Sequence, residues 1–263
     1  KQAARTEAAI RKGISLVTDW SRDPEPRVWR LTYALHLEVG LLRDGHPSAS
    51  KERIGKLLEA LAGMEDNGGW SYAARRGRFH TFNTAPILIL LREAKRLDVD
   101  VDDAMIARAK AFLERNRVGG RAVFKYGTKM EAVSGIKSGK SETSSCVRGP
   151  LCELALYTGD SRGIDEALQI FFDHIDGVRF TARIYESWVE HDTFQDSYRY
   201  FFGTWYAARA IRLLPQPKRG EMARRLRERI LRVQEIEGSF VDSQMIGKGS
   251  STALALLALA ELR

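Results

Sequence analysis

Apolar residues along this chain fall into two patterns that alternate, and neither is the strict two-residue alternation of a strand. In the first, apolar side chains recur at helical spacing on one face. Ile10, Ile14 and Val17 mark a helix over about 2–20, and Ile54, Leu57, Leu58 and Leu61 mark the next such helix. Ile106, Ala109 and Leu113 follow, then Ile164, Leu168, Phe171 and Ile175, then Met222, Leu226, Ile230 and Val233. In the second pattern, the segments 29–42, 84–94, 142–156, 200–214 and 251–262 read as apolar nearly all round. Helices of that kind are expected to be buried on every side. The two patterns alternate to give about ten helices in five pairs, with repeats near 1–45, 46–98, 99–160, 161–217 and 218–263.

Punctuation agrees with the pairing. Ser48 or Ser50 is placed to cap the helix of Ile54, and Gly68-Gly69 to end it before Trp70. Altered forms of that corner recur as VGGRAVFKYG over 118–127 and EGSF over 237–240. Each all-apolar helix carries a small hydroxyl or thiol residue in its first turn: Thr32, Thr84, Cys146, Thr204 and Thr252, roughly 50 to 60 residues apart. An open solenoid would have two amphipathic helices per repeat, because both of its faces meet water. One amphipathic and one apolar helix per pair instead predict two concentric layers, so the fold class expected is all-α, a single α/α toroid domain over 1–263.

Composition narrows the partners. The charged fraction of 29% and hydrophobic fraction of 44% are those of a globular protein, and no apolar run reaches the ~18 residues of a transmembrane helix. A net charge of +8 favours an acidic partner, such as an anionic membrane face, a phosphorylated small molecule or nucleic acid. Much of that charge sits in MARRLRERILR over 222–232, which reads as the outer face of a helix; no aromatic residues interleave its arginines as stacking on nucleic acid would require. Cys146 and Cys152 lie about 9 Å apart along one helix, beyond disulfide reach, and two free thiols suit a reducing compartment. The chain starts at Lys1 rather than Met, the start expected of a processed or excised piece.

The GGW corner (68–70), GGRAVF (119–124), GSF (238–240) and SSTALALLALAEL (250–262) together resemble the repeats of the prenyltransferase and squalene–hopene cyclase superfamily. RVQEIEGSF (232–240) is similar to the glutamine–aromatic repeat of triterpene cyclases, with Gln234 in place and Phe240 where tryptophan would stand. The resemblance implies the toroid and two chemistries. Class II cyclases use a DxDD acid, and DVDD occurs at 100–103, but it precedes an amphipathic helix, where Asp102 or Asp103 is expected to act as an N-cap. Protein prenyltransferases hold zinc with Asp, Cys and His. Cys146 and the pair His191-Asp192 stand near such positions, but Ser144 occupies the place of the carboxylate, so no metal or other cofactor is expected.

In a toroid the first turns of all the apolar helices would meet at one mouth, where helix N-termini attract an anion. The ligand-binding candidates there are His80, Asn83, Arg148, Tyr198, Trp205, Asp242 and Gln244, with Glu142 nearby. His191 beside Asp192 is the candidate catalytic pair, a base with an orienting carboxylate. Architectural uses stand beside these: Asn83, Asp192 and Asp242 as helix caps, the aromatics over 198–206 as filling, and His80 with Arg75, Arg76 and Arg78 as a solvated loop. A glycosidase of the helical-ring type would need two facing carboxylates, for which Asp192 and Asp242 are the nominees. The function expected is a toroid domain binding a hydrophobic or phosphorylated ligand in a central cavity. The alternatives are an isoprenoid-diphosphate enzyme and a protein-interaction module.

Overall fold

The structure is a computed structural model that describes residues 2–18, 27–72, 79–125, 127, 145–175, 200–242 and 247–263. Among these residues the chain is helical: α1 (Gln2–Thr18), α2 (Val28–Arg43), α3 (Lys51–Ala62), α4 (Thr81–Arg96), α5 (Asp103–Arg115), α6 (Ser145–Leu156), α7 (Arg162–Ile175), α8 (Tyr200–Ile211), α9 (Lys218–Arg232) and α10 (Gly247–Glu261). The one strand pair described, β1 (Glu65–Asp66) and β2 (Gly69–Trp70), is the corner between α3 and α4. The chain divides into two compact units, residues 1–115 with 127–129, and residues 116–126 with 130–263.

In the first unit, helix starts follow their caps. Ser50 takes the Arg53 N–H on its hydroxyl at 3.2 Å, and Asp102 takes the Ala104 N–H at 2.8 Å. The DVDD string is thus the start of an outer helix, with Asp103 exposed and paired with Lys95. Helix α3 buries Ile54, Leu57, Leu58 and Leu61 against α2. A half-buried charge pair locks those two helices: Glu38, wholly buried on α2, receives Arg53 Nε at 2.7 Å and Nη2 at 3.0 Å.

The corner after α3 is an Asn-Gly hairpin, with Asn67 at φ 50° and Gly68 at φ 84°. Both glycines of the corner are dictated by contact. A Cβ on Gly68 would stand 2.1 Å from the Arg108 carbonyl oxygen, and one on Gly69 would stand 2.7 Å from the Phe112 ring and from Phe79. Glu65 holds the turn by accepting the Gly68 N–H at 2.8 Å and pairing with Arg108, which keeps its carboxyl below the usual carboxylate range. Trp70 is fully buried and donates its indole N–H to the Leu61 carbonyl at 2.7 Å, satisfying an acceptor in the last turn of α3.

The second unit repeats the device twice. At 117–124, Val118 N–H donates to the Val123 carbonyl at 2.8 Å and the buried Phe124 lies under the Arg117 guanidinium, 4.7 Å from its ring centroid. At 235–239, Glu235 N–H donates to Ser239 at 2.9 Å, and Gln234 Nε2 donates to the Gly238 carbonyl at 2.9 Å. The buried Phe240 then packs edge-on against Phe201.

The inner helices differ in one respect from the expectation of burial on every side. Helix α8 is buried except at Arg209, and α4 is buried from Thr81 through Leu91. Helix α2 exposes Arg30 and Tyr33, and α10 exposes Ala253, Leu256, Leu257 and Ala260. The reason is position: α10 packs mainly on α8, and α2 on α3 and α4, so one flank of each is left to solvent.

Candidate functional site

Each corner aromatic is tied through its main chain to the inner helix that follows. Trp70 N–H donates to Thr84 Oγ1 at 3.2 Å, and Phe240 N–H donates to Thr252 Oγ1 at 3.0 Å. At the middle corner the tie runs the other way: Arg148, buried on α6, donates Nε and Nη2 to the Phe124 carbonyl at 3.2 and 3.1 Å. The hydroxyl register along the chain is therefore an architectural device at two of its five positions. Thr32 bonds the Val28 carbonyl of its own helix at 2.8 Å, and Thr204 is wholly buried. The side chain of Cys146 lies outside the described residues.

In the first unit these ties place a cluster of rings at the start of α2 and α4. Trp29 stacks on Tyr33 with centroids 5.6 Å apart and touches Phe82 at 5.4 Å. Tyr72 contacts His80 at 4.8 Å and Phe82 at 5.7 Å, and His80 contacts Phe82 at 5.9 Å. Main-chain bonds fix the frame, Val28 N–H to the Tyr72 carbonyl and His80 N–H to the Trp70 carbonyl, both at 3.1 Å. Phe82 and His80 are buried, Trp29 is half-buried, and Tyr33 and Tyr72 are 44% and 39% exposed. Of the sequence candidates, His80 and Asn83 belong here. Asn83 is buried and donates Nδ2 to the Trp70 carbonyl at 3.4 Å, and His80 leads directly into α4 as its N-cap residue.

The second unit holds three other candidates in separate structural roles. Arg148 serves the Phe124 corner. Asp242 is buried and accepts the Phe201 N–H at 3.3 Å, while its own N–H donates to Ser251 at 3.1 Å, so its carboxylate caps α8 from the corner before α10. Trp205 is buried against Tyr206, with Arg209 5.7 Å from its ring centroid. Glu237, at that same corner, bonds Lys248, which with the Ser239 hydroxyl draws its carboxyl down to about 2. His191, Asp192, Tyr198, Gln244 and Glu142, with Arg75, Arg76 and Arg78, lie outside the described residues.

Sequence reasoning passed over Trp29, Tyr33, Tyr72 and Phe82. The signal available was the four-residue spacing of Trp29 and Tyr33, together with a tyrosine two residues past the corner tryptophan.

No protein family matches the sequence, and no curated protein does. Solved structures do. The Lin0763 protein from Listeria innocua is 12% identical, with a TM-score of 0.58 over 90% of this chain and 71% of that one. An inactive variant of an α-1,6-mannanase, GH76A of Salegentibacter sp. HEL1_6, in complex with α-1,6-mannotetrose, is 13% identical, with a TM-score of 0.58 over 90% of this chain and 75% of that one. Identities this low carry the fold alone, and the fold is all-α, of the helical-toroid class. Neither structure is described as a prenyltransferase or a terpenoid cyclase, and identities of 12% and 13% carry no chemistry to this chain.

Proposed function

We propose that this chain is a ligand-binding helical domain that seats a small molecule on the open edge of the Tyr33–Trp29–Tyr72 cluster and runs no reaction on it. The observation that carries the reading is the graded burial of that cluster, closed at Phe82 and His80 and open at Tyr33 and Tyr72. Aromatic rings held by their neighbours offer contact area at little cost in side-chain freedom, and ligand sites combine such rings with a few polar groups.

The ligand class favoured is a neutral saccharide. A sugar ring presents a face of C–H groups to an aromatic ring and keeps its hydroxyls at the edge. The mannanase of similar fold, solved with a mannotetrose, supports this choice. An anionic ligand loses its named cation, because Arg148 is buried and donates to the Phe124 carbonyl. An isoprenoid diphosphate is the second reading, favoured by Arg75, Arg76 and Arg78 in the segment that joins Tyr72 to Phe79 in sequence.

Binding without reaction is supported by the carboxylates. The mannanase variant is inactive with two aspartates adjacent in its sequence replaced by alanine. This chain has a single adjacent pair, Asp102-Asp103, and it starts an outer helix. Asp242 is committed to the α8 N-terminus.

The test is calorimetric titration of the full chain with α-1,6-mannotetraose, a panel of other neutral oligosaccharides, and farnesyl diphosphate. The expected result is saccharide binding weakened roughly tenfold or more in Trp29→Ala and Tyr72→Ala, variants checked for folding by circular dichroism. No binding across the saccharide panel overturns the choice of ligand. Farnesyl diphosphate binding that is lost when Arg75, Arg76 and Arg78 become serine moves the conclusion to the second reading. Release of shorter sugars overturns the absence of a reaction.

A further inference from the structure

We propose that the α9–α10 hairpin of the second unit docks the chain on an anionic lipid surface. This goes beyond the ligand reading and uses other residues. Helix α9 carries seven basic side chains against two acidic ones, Glu221 and Glu228, over half of the net +8 of the chain. Its apolar face, Met222, Leu226 and Ile230, is buried, so the charged face is turned to solvent.

Most of these cations already have contacts, and the basic residues still outnumber the acidic ones on the helix by seven to two. Arg225 and Arg229 lie over the Phe172 ring at 4.5 and 5.6 Å from its centroid, Arg224 pairs with Glu228 at 2.8 Å, and Lys218 pairs with Asp165. Arg232 is exposed at the last turn. The field of such a face attracts anionic headgroups within a Debye length, about 8 Å at physiological salt.

The second component is apolar and lies mainly on the helix that follows. Arg227 donates to the Leu262 carbonyl and so ties α9 to the end of α10. On α10, Ala253, Leu256, Leu257 and Ala260 form an uncharged stripe at i, i+3, i+4, i+7, with Leu256 56% and Leu257 40% exposed. Leu231, at the end of α9, is 48% exposed, and Ile236 in the following turn is fully exposed. A basic face with adjoining leucines is the composition that lies in a membrane interface. Glu235 and Glu237 flank Ile236 and oppose docking at that tip, Glu237 being held by Lys248. Insertion is therefore assigned to Leu231, Leu256 and Leu257.

Charge decides against the other occupants. A second copy would bring two strongly basic faces together. Nucleic acid would stack on aromatic side chains, and α9 has none.

The experiment is co-sedimentation of the full chain with phosphatidylcholine vesicles containing about 30% phosphatidylserine, and with phosphatidylcholine alone. Binding is expected only to the anionic vesicles and is expected to fall steeply between ~50 and ~500 mM salt. It is expected to weaken roughly tenfold or more in Arg224→Glu/Arg232→Glu, and again in Leu256→Ser/Leu257→Ser, with circular dichroism and melting confirming that both variants fold. Equal binding to neutral vesicles, no binding to anionic ones, or unchanged binding in both folded variants overturns the proposal. So does a dimer in solution that Leu256→Ser/Leu257→Ser dissolves, or DNA binding without vesicle binding.

Discussion

The main-chain N–H of Trp70 donates to the Oγ1 of Thr84 across 3.2 Å, joining the corner that ends one helix to the first turn of the next. Both residues are buried, so no water replaces the bond when it is lost. Thr84→Val is expected to destabilise the fold by about 1–3 kcal/mol, because a buried donor is left without its acceptor. Thr84→Ser is expected to restore most of that. Thr252→Val is expected to cost less, since Thr252 is only partly buried. Urea denaturation of the three variants checks the ordering.

Gly68 is the position where a side chain is least admissible. Its φ of 84° and the 2.1 Å approach a Cβ would make to the Arg108 carbonyl both act against substitution. Gly68→Ala is expected to cost about 3 kcal/mol or more. Gly45→Ala is the control, with φ 64° and nothing within 4 Å, and is expected to cost only the roughly 1–2 kcal/mol of the left-handed conformation. Thermal melting that shows equal losses would refute the contact argument.

Arg148 is expected to behave as a structural residue. Arg148→Met removes both bonds to the Phe124 carbonyl and is expected to destabilise by roughly 2–3 kcal/mol without altering ligand affinity in the folded fraction. A variant that folds as the parent does but loses ligand would assign Arg148 to binding instead.

Acid should loosen the first corner. The Arg108 bonds hold the Glu65 carboxyl below its ordinary range, so the folded pKa lies beneath the unfolded value of about 4.3. The stabilisation is full above that unfolded value and is lost as pH falls through the folded pKa. Glu65→Gln is expected to flatten the fall in urea midpoint between about pH 5 and pH 2 relative to the parent. An identical pH dependence in the two would show that the pair contributes nothing.

At the last corner the same logic is read directly by carboxyl NMR. Glu237 is expected to titrate at about 2, and to move up toward the ordinary range in Lys248→Met. A titration unchanged by that substitution would mean that the Lys248 bond is not formed in solution.

The helices were legible because their period is carried by Ile54, Leu57, Leu58 and Leu61, or Met222, Leu226 and Ile230, residues whose burial and spacing coincide. The caps at Ser50 and Asp102 were legible for a related reason, since a cap acts within three residues of itself. The exposed flanks of α2 and α10 were not. Tyr33 and Leu256 count as apolar in any periodicity, and nothing in Ala253, Leu256, Leu257 and Ala260 marks that face as open. The aromatic cluster was hidden for another reason: Trp29 meets Phe82, and through it Tyr72 and His80, only after three helices and a corner have folded. Arg148 and Asp242 are ligand candidates in the sequence, but a cation and a carboxylate near helix starts read alike there whether they serve a ligand or, as here, a main-chain carbonyl and a main-chain N–H.

The indole N–H of Trp70, closed onto the Leu61 carbonyl at 2.7 Å, also supplies a built-in clock. Its proton can leave for solvent only when the end of α3 and the corner part company, and in a one-dimensional proton spectrum indole protons fall downfield of most amides. The rate at which that single resonance fades in heavy water therefore times the opening of one joint, separately from the unfolding of the whole.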